Sequence, residues 1–366
     1  SKENAPGFIL GYDARTGERL WIFHTIPLPG EYGNETWEGD SWSYTGNAGV
    51  WAPFSVDDEL GYVYLPTEAA TGDYYGAHRL GDNLFTQSLV CLDLRTGERV
   101  WHYQMVHHGI WDYDNPAPPI LVNIEVDGRP LKAVVQVTKQ AFAYVFDRVT
   151  GEPICPITER QVASSDIPGE RTSPTQPFPT KPAPFDLQGL TLDDLIDFTP
   201  ELKAQAVEIA SQYRIGPLFT PPSLAQAEDG TRGLIQIPGQ GGGANWEGAA
   251  VDVESGVLYV PSITNPIVRG LFNDPEHSDM NYVDARWRLP GPQGLPLVRP
   301  PWGRVTAIDL NTGEHLWMVP NGDTPEYVRD HPALAGIEIP RTGTATRGST
   351  IVTRALLFVT SGDPIL

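Results

Sequence analysis

A short pattern, Asp-x-x-Thr-Gly-Glu-x-x-Trp, recurs along this chain and limits its possible folds more than any other feature. It occupies Asp13–Trp21, Asp93–Trp101 and Asp309–Trp317, and a weaker copy begins at Asp147. Asp accepts hydrogen bonds from its own turn, and Gly adopts positive φ without steric cost. Apolar alternation on both sides of the turn makes each copy a predicted β-hairpin. We expect the closing Trp to cover the seam with a neighbouring unit.

A second pattern, Trp-x4-Val-Asp-x-Glu-x-Gly-x-x-Tyr-x-Pro, runs from Trp51 to Pro66 and again from Trp246 to Pro261. This pattern also predicts a hairpin, and each copy precedes a copy of the first pattern. Two successive antiparallel hairpins make a four-stranded sheet, which is the blade of a β-propeller. The repeats therefore predict an all-β propeller.

The repeat boundaries predict one incomplete propeller domain over residues 1–366. It contains blades at about 45–105, 107–157 and 246–320, and partial blades at 1–25 and 345–366. A Pro-rich insertion covers 158–245, where Thr199 and Pro200 predict the start of a helix. A second long loop is expected over 262–301. Because the sequence starts and stops inside repeat-like segments, we expect it to be a fragment.

The chain carries 46 Asp and Glu residues against 25 Lys and Arg residues, a net charge of -21. This field repels phosphate backbones, so nucleic acid is an unexpected partner and a divalent cation a more natural ligand. No dinucleotide-binding glycine motif, P-loop or nucleophile elbow occurs. The two cysteines, Cys91 and Cys155, make neither a disulfide framework nor a zinc site. We expect both to be buried in strands.

The segment 107–114, His-His-Gly-Ile-Trp-Asp-Tyr-Asp, concentrates rings and acids between two predicted blades. In one interpretation Asp112 is a carboxylate general base, and Asp114 supports it or a metal ion. In the other interpretation the segment is a capped turn around a buried Trp.

Trp51 and Trp246 open equivalent hairpins, next to the glycine-containing runs 45–49 and 241–245. Their rings are either blade core or the walls of a site for a planar ligand, and glycine lets the backbone approach such a ligand closely. Lys139, at a strand end, is either a solvated lysine or part of the same site.

Several of these segments, taken in order, resemble the quinoprotein dehydrogenases that use pyrroloquinoline quinone (PQQ). The closest resemblance is to the membrane-type quinoprotein glucose dehydrogenases, and the wider group includes methanol and alcohol dehydrogenases. The resemblance covers nearly the whole chain and rests on Gly81-Asp82-Asn83, Asp93–Trp101, His107-His108, Trp111-Asp112-Tyr113-Asp114, Thr138-Lys139-Gln140 and Asp147-Arg148.

The resemblance implies an eight-bladed propeller with the quinone on its axis. Asp112 then matches the catalytic aspartate, which takes the substrate hydroxyl proton while hydride passes to the quinone. Trp51 matches the tryptophan that stacks on the quinone, and Lys139 matches the cation that hydrogen-bonds its oxygens. Asn245 and Trp246 match a segment that lines the same pocket.

The resemblance also implies a divalent cation, Ca²⁺ or Mg²⁺, with a lanthanide not excluded. Glu68, Asp112 and Asp114 are its candidate ligands. One departure is that Ala69 stands where the family has a metal-ligating Asn, and Glu68 is the candidate replacement. The first blades, which carry another metal-ligating Glu, are absent from this sequence.

The implied activity is oxidation of a glucose-like aldose or of an alcohol, with electrons passed to ubiquinone or a cytochrome. The implied location is the periplasm, with membrane association through a region absent from this chain. The alternative is a non-catalytic envelope propeller scaffold, which need not keep Asp112, Trp51 and Lys139 together.

Overall fold

The computed structural model describes residues 1–361 and consists mostly of short antiparallel strands. The strands in chain order are β1 (Phe8–Tyr12), β2 (Arg19–His24), β3 (Ser55–Asp57), β4 (Tyr62–Pro66), β5 (Ser88–Asp93), β6 (Arg99–Gln104), β7 (Ile120–Val126), β8 (Arg129–Val137), β9 (Ala143–Asp147), β10 (Ile157–Gln161), β11 (Thr175–Pro179), β12 (Ser223–Leu224), β13 (Leu234–Gln236), β14 (Ala250–Asp252), β15 (Val257–Ile263), β16 (Ile267–Phe272), β17 (Val283–Trp287), β18 (Gly303–Asp309), β19 (Glu314–Pro320), β20 (Thr350–Val352) and β21 (Leu357–Val359). The α-helices are α1 (Pro200–Ala210) and α2 (Glu326–Arg329), and 3-10 turns occur at Asn34–Thr36, Glu38–Ser43, Leu192–Asp194, Pro292–Gly294 and Pro332–Leu334.

The strands form the blade-like sheets that the repeats predict. Strands β3–β4–β5–β6 make one four-stranded antiparallel sheet, and β14–β15–β18–β19 make another, in which β16 and β17 are inserted between β15 and β18. Between them, β7–β8–β9 form a three-stranded sheet, and a single bridge from Phe146 to Pro153 stands at the place of a fourth strand. The pairs β1–β2 and β20–β21 are separate two-stranded sheets. The predicted all-β fold class is confirmed, and residues 362–366 of the last partial blade lie outside the described residues.

The Asp-x-x-Thr-Gly turns take the conformation that their residues predict. In each turn the Asp side chain accepts a hydrogen bond from the backbone N–H two residues ahead, and the Gly N–H donates to the Asp carbonyl at 2.7–2.9 Å. The four glycines have φ between +70° and +79°: Gly17, Gly97, Gly151 and Gly313.

In two of the copies, the Trp that closes the turn docks on the turn of the next sheet. The Trp21 indole N–H donates to the Leu94 carbonyl at 3.0 Å, and a methyl group on Gly97 would lie 2.5 Å from the Trp21 ring. Likewise Trp101 donates to the Arg148 carbonyl at 3.2 Å and leaves only 2.5 Å to a methyl group on Gly151. The expectation that these tryptophans cover the seams is therefore confirmed for both pairs.

The insertion is more ordered than its composition suggests. As predicted, Thr199 caps α1, because its hydroxyl accepts from the Leu202 N–H at 3.1 Å and Pro200 opens the helix. The expectation of a loop over 262–301 is wrong, since β16 and β17 pair there and β16 also pairs with β12 and β13. The buried side chains of Val268 and Leu271 stabilise this accessory sheet.

The two cysteines differ in burial and in local structure. Cys91 is buried in β5 as expected, but Cys155 is only partly buried and lies in a bend rather than a strand. Within residues 1–361, no helix is both long enough and apolar enough to cross a lipid bilayer.

The packing of Trp21 on Gly97 predicts that a Gly→Ala substitution lowers the free energy of unfolding by more at Gly97 than at Gly17. The new methyl group of Gly17→Ala meets no atom within 4 Å. The free energy of unfolding therefore falls only by the strain of placing Ala in a left-handed conformation, about 1–2 kcal/mol. Gly97→Ala has the same φ but also drives a methyl group into the Trp21 ring, which adds about 1–3 kcal/mol. Denaturant unfolding of both variants measures the difference. Equal losses would show that Trp21 does not constrain the turn.

Candidate active site

The candidate residues meet at one end of the sheets because of the antiparallel meander. Strands β4, β6 and β8 end at this edge, and β7 and β14 begin there. Glu68 follows β4, Asp112 and Asp114 lie between β6 and β7, and Lys139 follows β8. The Asp-x-x-Thr-Gly turns occupy the opposite edge, so the connections on the two edges have separate structural roles.

Lys139 binds both candidate acids directly. Its Nζ donates to Asp112 Oδ1 at 2.9 Å, to the Asp112 carbonyl at 2.9 Å and to Asp114 Oδ2 at 2.8 Å. The lysine side chain is 4% exposed, and the carboxylates of Asp112 and Asp114 are 19% and 14% exposed. The interpretation of Lys139 as a solvated lysine is therefore wrong. The ammonium group uses its three donors on three oxygens of one short segment.

Burial and neighbouring charges set the electrostatics of this cluster. Burial raises the pKa of Asp112 to about 7, with Lys139 opposing the shift and Asp114 reinforcing it. Burial opposes the charge on Lys139, yet Asp114 and Asp112 together raise its pKa above the usual range. The lysine therefore stays charged, and its ammonium group opposes the rise that burial causes in the pKa of Asp112. No described residue donates to Asp112 Oδ2, which leaves that oxygen available to a substrate.

Glu68 and Ala69 border the same cluster from the next sheet. The Ala69 N–H donates to Asp114 Oδ1 at 2.8 Å, and the Glu68 carboxylate accepts from the Gly49 N–H at 2.9 Å. Burial, with a contribution from Asp114, raises the pKa of Glu68 to about 7. At the Ala69 position the backbone therefore supports Asp114, and the side chain offers no oxygen ligand.

Sequence reasoning missed Asp73 and Tyr74. The Asp73 carbonyl accepts from the Asp112 N–H at 3.2 Å, and burial together with Asp114 raises the pKa of the Asp73 carboxyl. Tyr74 is 3% exposed and lies under the Arg269 guanidinium, 4.2 Å from ring centroid to Cζ. Arg269 belongs to β16, so the accessory sheet contacts the site. The sequence signal for these two residues was an acid followed by two tyrosines in the loop between β4 and β5.

Buried hydrogen bonds connect the loops that carry the acids. Arg79 donates to the carbonyls of Gly72 and Gly109 at 2.8 and 2.7 Å, which joins the loop of Asp73 to the loop of Asp112. His108 binds Glu170 at 2.7 Å, with both side chains 1% exposed. Asp112, in the loop that these contacts connect, has a left-handed conformation with φ of +55°.

The run 241–245, here called the glycine run, packs against the backbone of Lys139. The Gly243 N–H donates to the Lys139 carbonyl at 2.9 Å. A methyl group on Gly242, whose φ is +72°, would lie 2.7 Å from the Lys139 Cα. Asn245 is 5% exposed, and its amide donates to the Gly241 carbonyl at 2.9 Å. The run therefore needs glycine for a close approach to Lys139, as well as for turning.

Both candidate tryptophans are exposed. Trp51 is 47% exposed and Trp246 is 59% exposed, so the interpretation of both as blade core is wrong. Residues close to each of them in sequence contact the cluster: Gly49 donates to the Glu68 carboxylate, and Gly243 donates to the Lys139 carbonyl. An exposed tryptophan beside a charged, partly buried cluster is available to stack on a planar ligand.

The fold and the site together define a β-propeller with a lysine–carboxylate centre at one end of its sheets. A family model described as "PQQ: Glucose/ethanol/alcohol dehydrogenase, beta-propeller domain" matches residues 1–364. The chain belongs to this family, and the membership predicted from its motifs is confirmed. Membership in this family implies PQQ as the cofactor.

Two curated relatives illustrate the range of the family. The chain is 32% identical to a quinoprotein glucose dehydrogenase of Escherichia coli, over 87% of this chain and 41% of that protein. It is 37% identical to a quinohemoprotein alcohol dehydrogenase, ADH-IIG, of Pseudomonas putida, over 86% of this chain and 40% of that protein. The chain thus spans less than half the length of these relatives.

A solved structure shares the fold. The quinohemoprotein alcohol dehydrogenase from Comamonas testosteroni superposes with a TM-score of 0.57 and 22% identity, over 87% of this chain and 43% of that chain. At this identity the likeness concerns the fold alone.

The residues present fit PQQ, by an observation independent of the family. Trp51 and Trp246 are exposed at the end of the sheets where the buried Lys139 ammonium lies. A planar, anionic ring system matches open aromatic faces and a buried cation. For a metal ion the donor chemistry fits, because carboxylate oxygens suit hard cations. Within residues 1–361, no group of three or more His, Cys, Asp or Glu side chains stands in metal-binding geometry.

Removal of Lys139 tests the charge balance of the cluster. Lys139→Met leaves Asp112 and Asp114 without their cation, so we expect the free energy of unfolding to fall by about 3–5 kcal/mol. The matched control is Lys132→Met, which breaks the pair with the exposed Glu59 and should change stability by about 1 kcal/mol or less. Chemical denaturation of both variants measures the two losses. A Lys139→Met protein as stable as the control would contradict the proposed charge balance.

Proposed function

We propose that the protein containing this chain is a PQQ-dependent dehydrogenase that oxidises a CH–OH group of a sugar or an alcohol. The observation that carries the proposal is the Asp112 carboxylate, with Oδ1 bound by Lys139 and Oδ2 without a donor among the described residues. A positioned carboxylate of raised pKa is a general base for a hydroxyl proton. Membership in the quinoprotein family supports the same reaction.

In the proposed reaction Asp112 takes the hydroxyl proton of the substrate on Oδ2. Removal of this proton lets the carbinol carbon release hydride. When bound, PQQ supplies the quinone carbonyl that accepts that hydride. Lys139 fixes the orientation of the Asp112 carboxylate and places positive charge where negative charge develops during the reaction. The surrounding burial limits competition from water, which strengthens both effects.

A divalent cation is the second part of this proposal. Glu68, Asp112 and Asp114 are the residues that would hold it, and Ca²⁺ or Mg²⁺ suits their oxygens. A lanthanide is a further candidate for the same hard ligands. If bound there, such a cation would supply Lewis-acid chemistry to the reaction. Among the described residues of this cluster, the four buried acids Glu68, Asp73, Asp112 and Asp114 outnumber the two cations Lys139 and Arg79, and that excess of negative charge supports cation binding.

The substrate proposal is an aldose first and another alcohol second. The glucose dehydrogenase of Escherichia coli and the alcohol dehydrogenase of Pseudomonas putida support one choice each. The sequence contains no Cys-x-x-Cys-His motif, so electrons would leave to ubiquinone or to a cytochrome outside this chain. By family analogy we propose the periplasm as the location.

Substitution of the proposed base tests the reaction directly. Asp112→Asn keeps the size of the side chain but removes the proton acceptor, so we expect kcat for dye-linked oxidation to fall by about 10²–10⁴. The assay uses the natural full-length protein with PQQ and Ca²⁺, and a panel of aldoses and alcohols. The matched control is Asp58→Asn, which changes an exposed carboxylate. A protein that folds and binds PQQ but oxidises nothing on the panel would favour the propeller scaffold instead.

Metal removal tests the cation. Dialysis against a chelator should abolish dye-linked oxidation, and addition of Ca²⁺, Mg²⁺ or a lanthanide should restore it to different extents. The physical reason is that a bound cation would supply Lewis-acid chemistry, which the chelator would remove. Full activity after exhaustive chelation, with metal content checked by elemental analysis, would mean that Lys139 alone supplies the positive charge.

A further inference from the structure

Arg347 lies just before a strand, at the position that Glu247 takes before the equivalent strand of the neighbouring sheet. It precedes β20 by three residues, as Glu247 precedes β14, and the two sheets are neighbours. The residue before Glu247 is Trp246. By this register Arg347 lies at the end of the sheets where Lys139, Asp112 and the glycine run meet.

Its contacts orient the guanidinium group. Arg347 Nη1 binds the two oxygens of Glu247 at 3.2 and 3.4 Å, and Nη2 donates to the Gly241 carbonyl at 2.9 Å. The Glu247 side chain is 4% exposed, whereas the Arg347 side chain is 31% exposed. A buried carboxylate therefore anchors a guanidinium that solvent and ligands can still reach.

The glycine run connects Arg347 to Lys139. Gly241 binds Arg347, Gly242 packs on the Lys139 Cα, and Gly243 donates to the Lys139 carbonyl. Arg347 thus lies toward the main chain of Lys139, while Asp112 and Asp114 lie at its Nζ. A ligand whose reactive end is at Nζ and whose body extends along the glycine run would reach Arg347 at its other end.

We propose that Arg347 binds a carboxylate group of the quinone cofactor, with Glu247 as the positioning residue for its guanidinium. This inference rests on the proposed function, because PQQ is the ligand. PQQ carries carboxylates on its ring system, and Lys139 already uses its donors on Asp112 and Asp114. The planar fork of arginine matches a carboxylate better than a lysine ammonium does.

The test measures cofactor binding, independently of turnover. Equilibrium dialysis of the natural full-length apoprotein against PQQ and Ca²⁺ gives the Kd for wild type and variants, without substrate. Arg347→Met removes a charge-assisted hydrogen bond, and we expect roughly ten- to hundredfold weaker binding. Arg347→Lys should recover part of the loss. The matched control is Arg354→Met, since Arg354 is 89% exposed and pairs with Glu254 between the same two sheets at 3.8 Å.

Glu247→Gln separates binding from a structural link between the sheets. Glutamine still accepts from Arg347 but carries no charge, so the guanidinium becomes more attractive to an anion and PQQ should bind at least as tightly as to wild type. Weakening equal to that of Arg347→Met would show that the pair only joins the sheets, and it would overturn the inference. So would wild-type affinity in Arg347→Met. If wild type binds no PQQ, the proposed function itself fails, and the two failures are distinguishable.

Discussion

The ammonium group of Lys139, bound to two carboxylates of one segment, is the interaction on which the rest of the site depends. Two acids separated by one residue repel each other when they are buried, and a shared cation offsets that repulsion. The lysine in turn needs the glycine run, because any larger residue at Gly242 would meet its Cα. The charge balance and the close backbone approach therefore support each other.

The antiparallel meander explains how distant parts of the chain reach this centre. Each sheet returns its strands to the same edge, so Glu68, Asp114 and Lys139 become neighbours although three different connections carry them. The insertion adds two supports from outside the repeats: Glu170, which binds His108, and Arg269, which covers Tyr74. A regular scaffold thus brings the acids together, and irregular segments hold their loops in place.

Much of this was predictable from local sequence. The Asp-x-x-Thr-Gly turns identify hairpins because turn chemistry is local, and the motif around Asp112 and Lys139 pointed to the same site that the structure brings together. Asp73 and the β16–β17 hairpin were not predicted. Their roles depend on contacts with residues far away in the chain, namely Asp112 and strands β12 and β13, which no local pattern encodes. The exposure of Trp51 likewise contradicted an expectation based on repeats alone.

The tryptophan seams have a consequence for the order of assembly. Trp21 docks on Gly97 and Trp101 docks on Gly151, so in both cases the earlier unit inserts its ring into a turn made later in the chain. During synthesis from the N terminus, each such indole stays in water until the ribosome has released the following hairpin. Maturation at these two seams is therefore vectorial, because each ring is made before the turn that shields it.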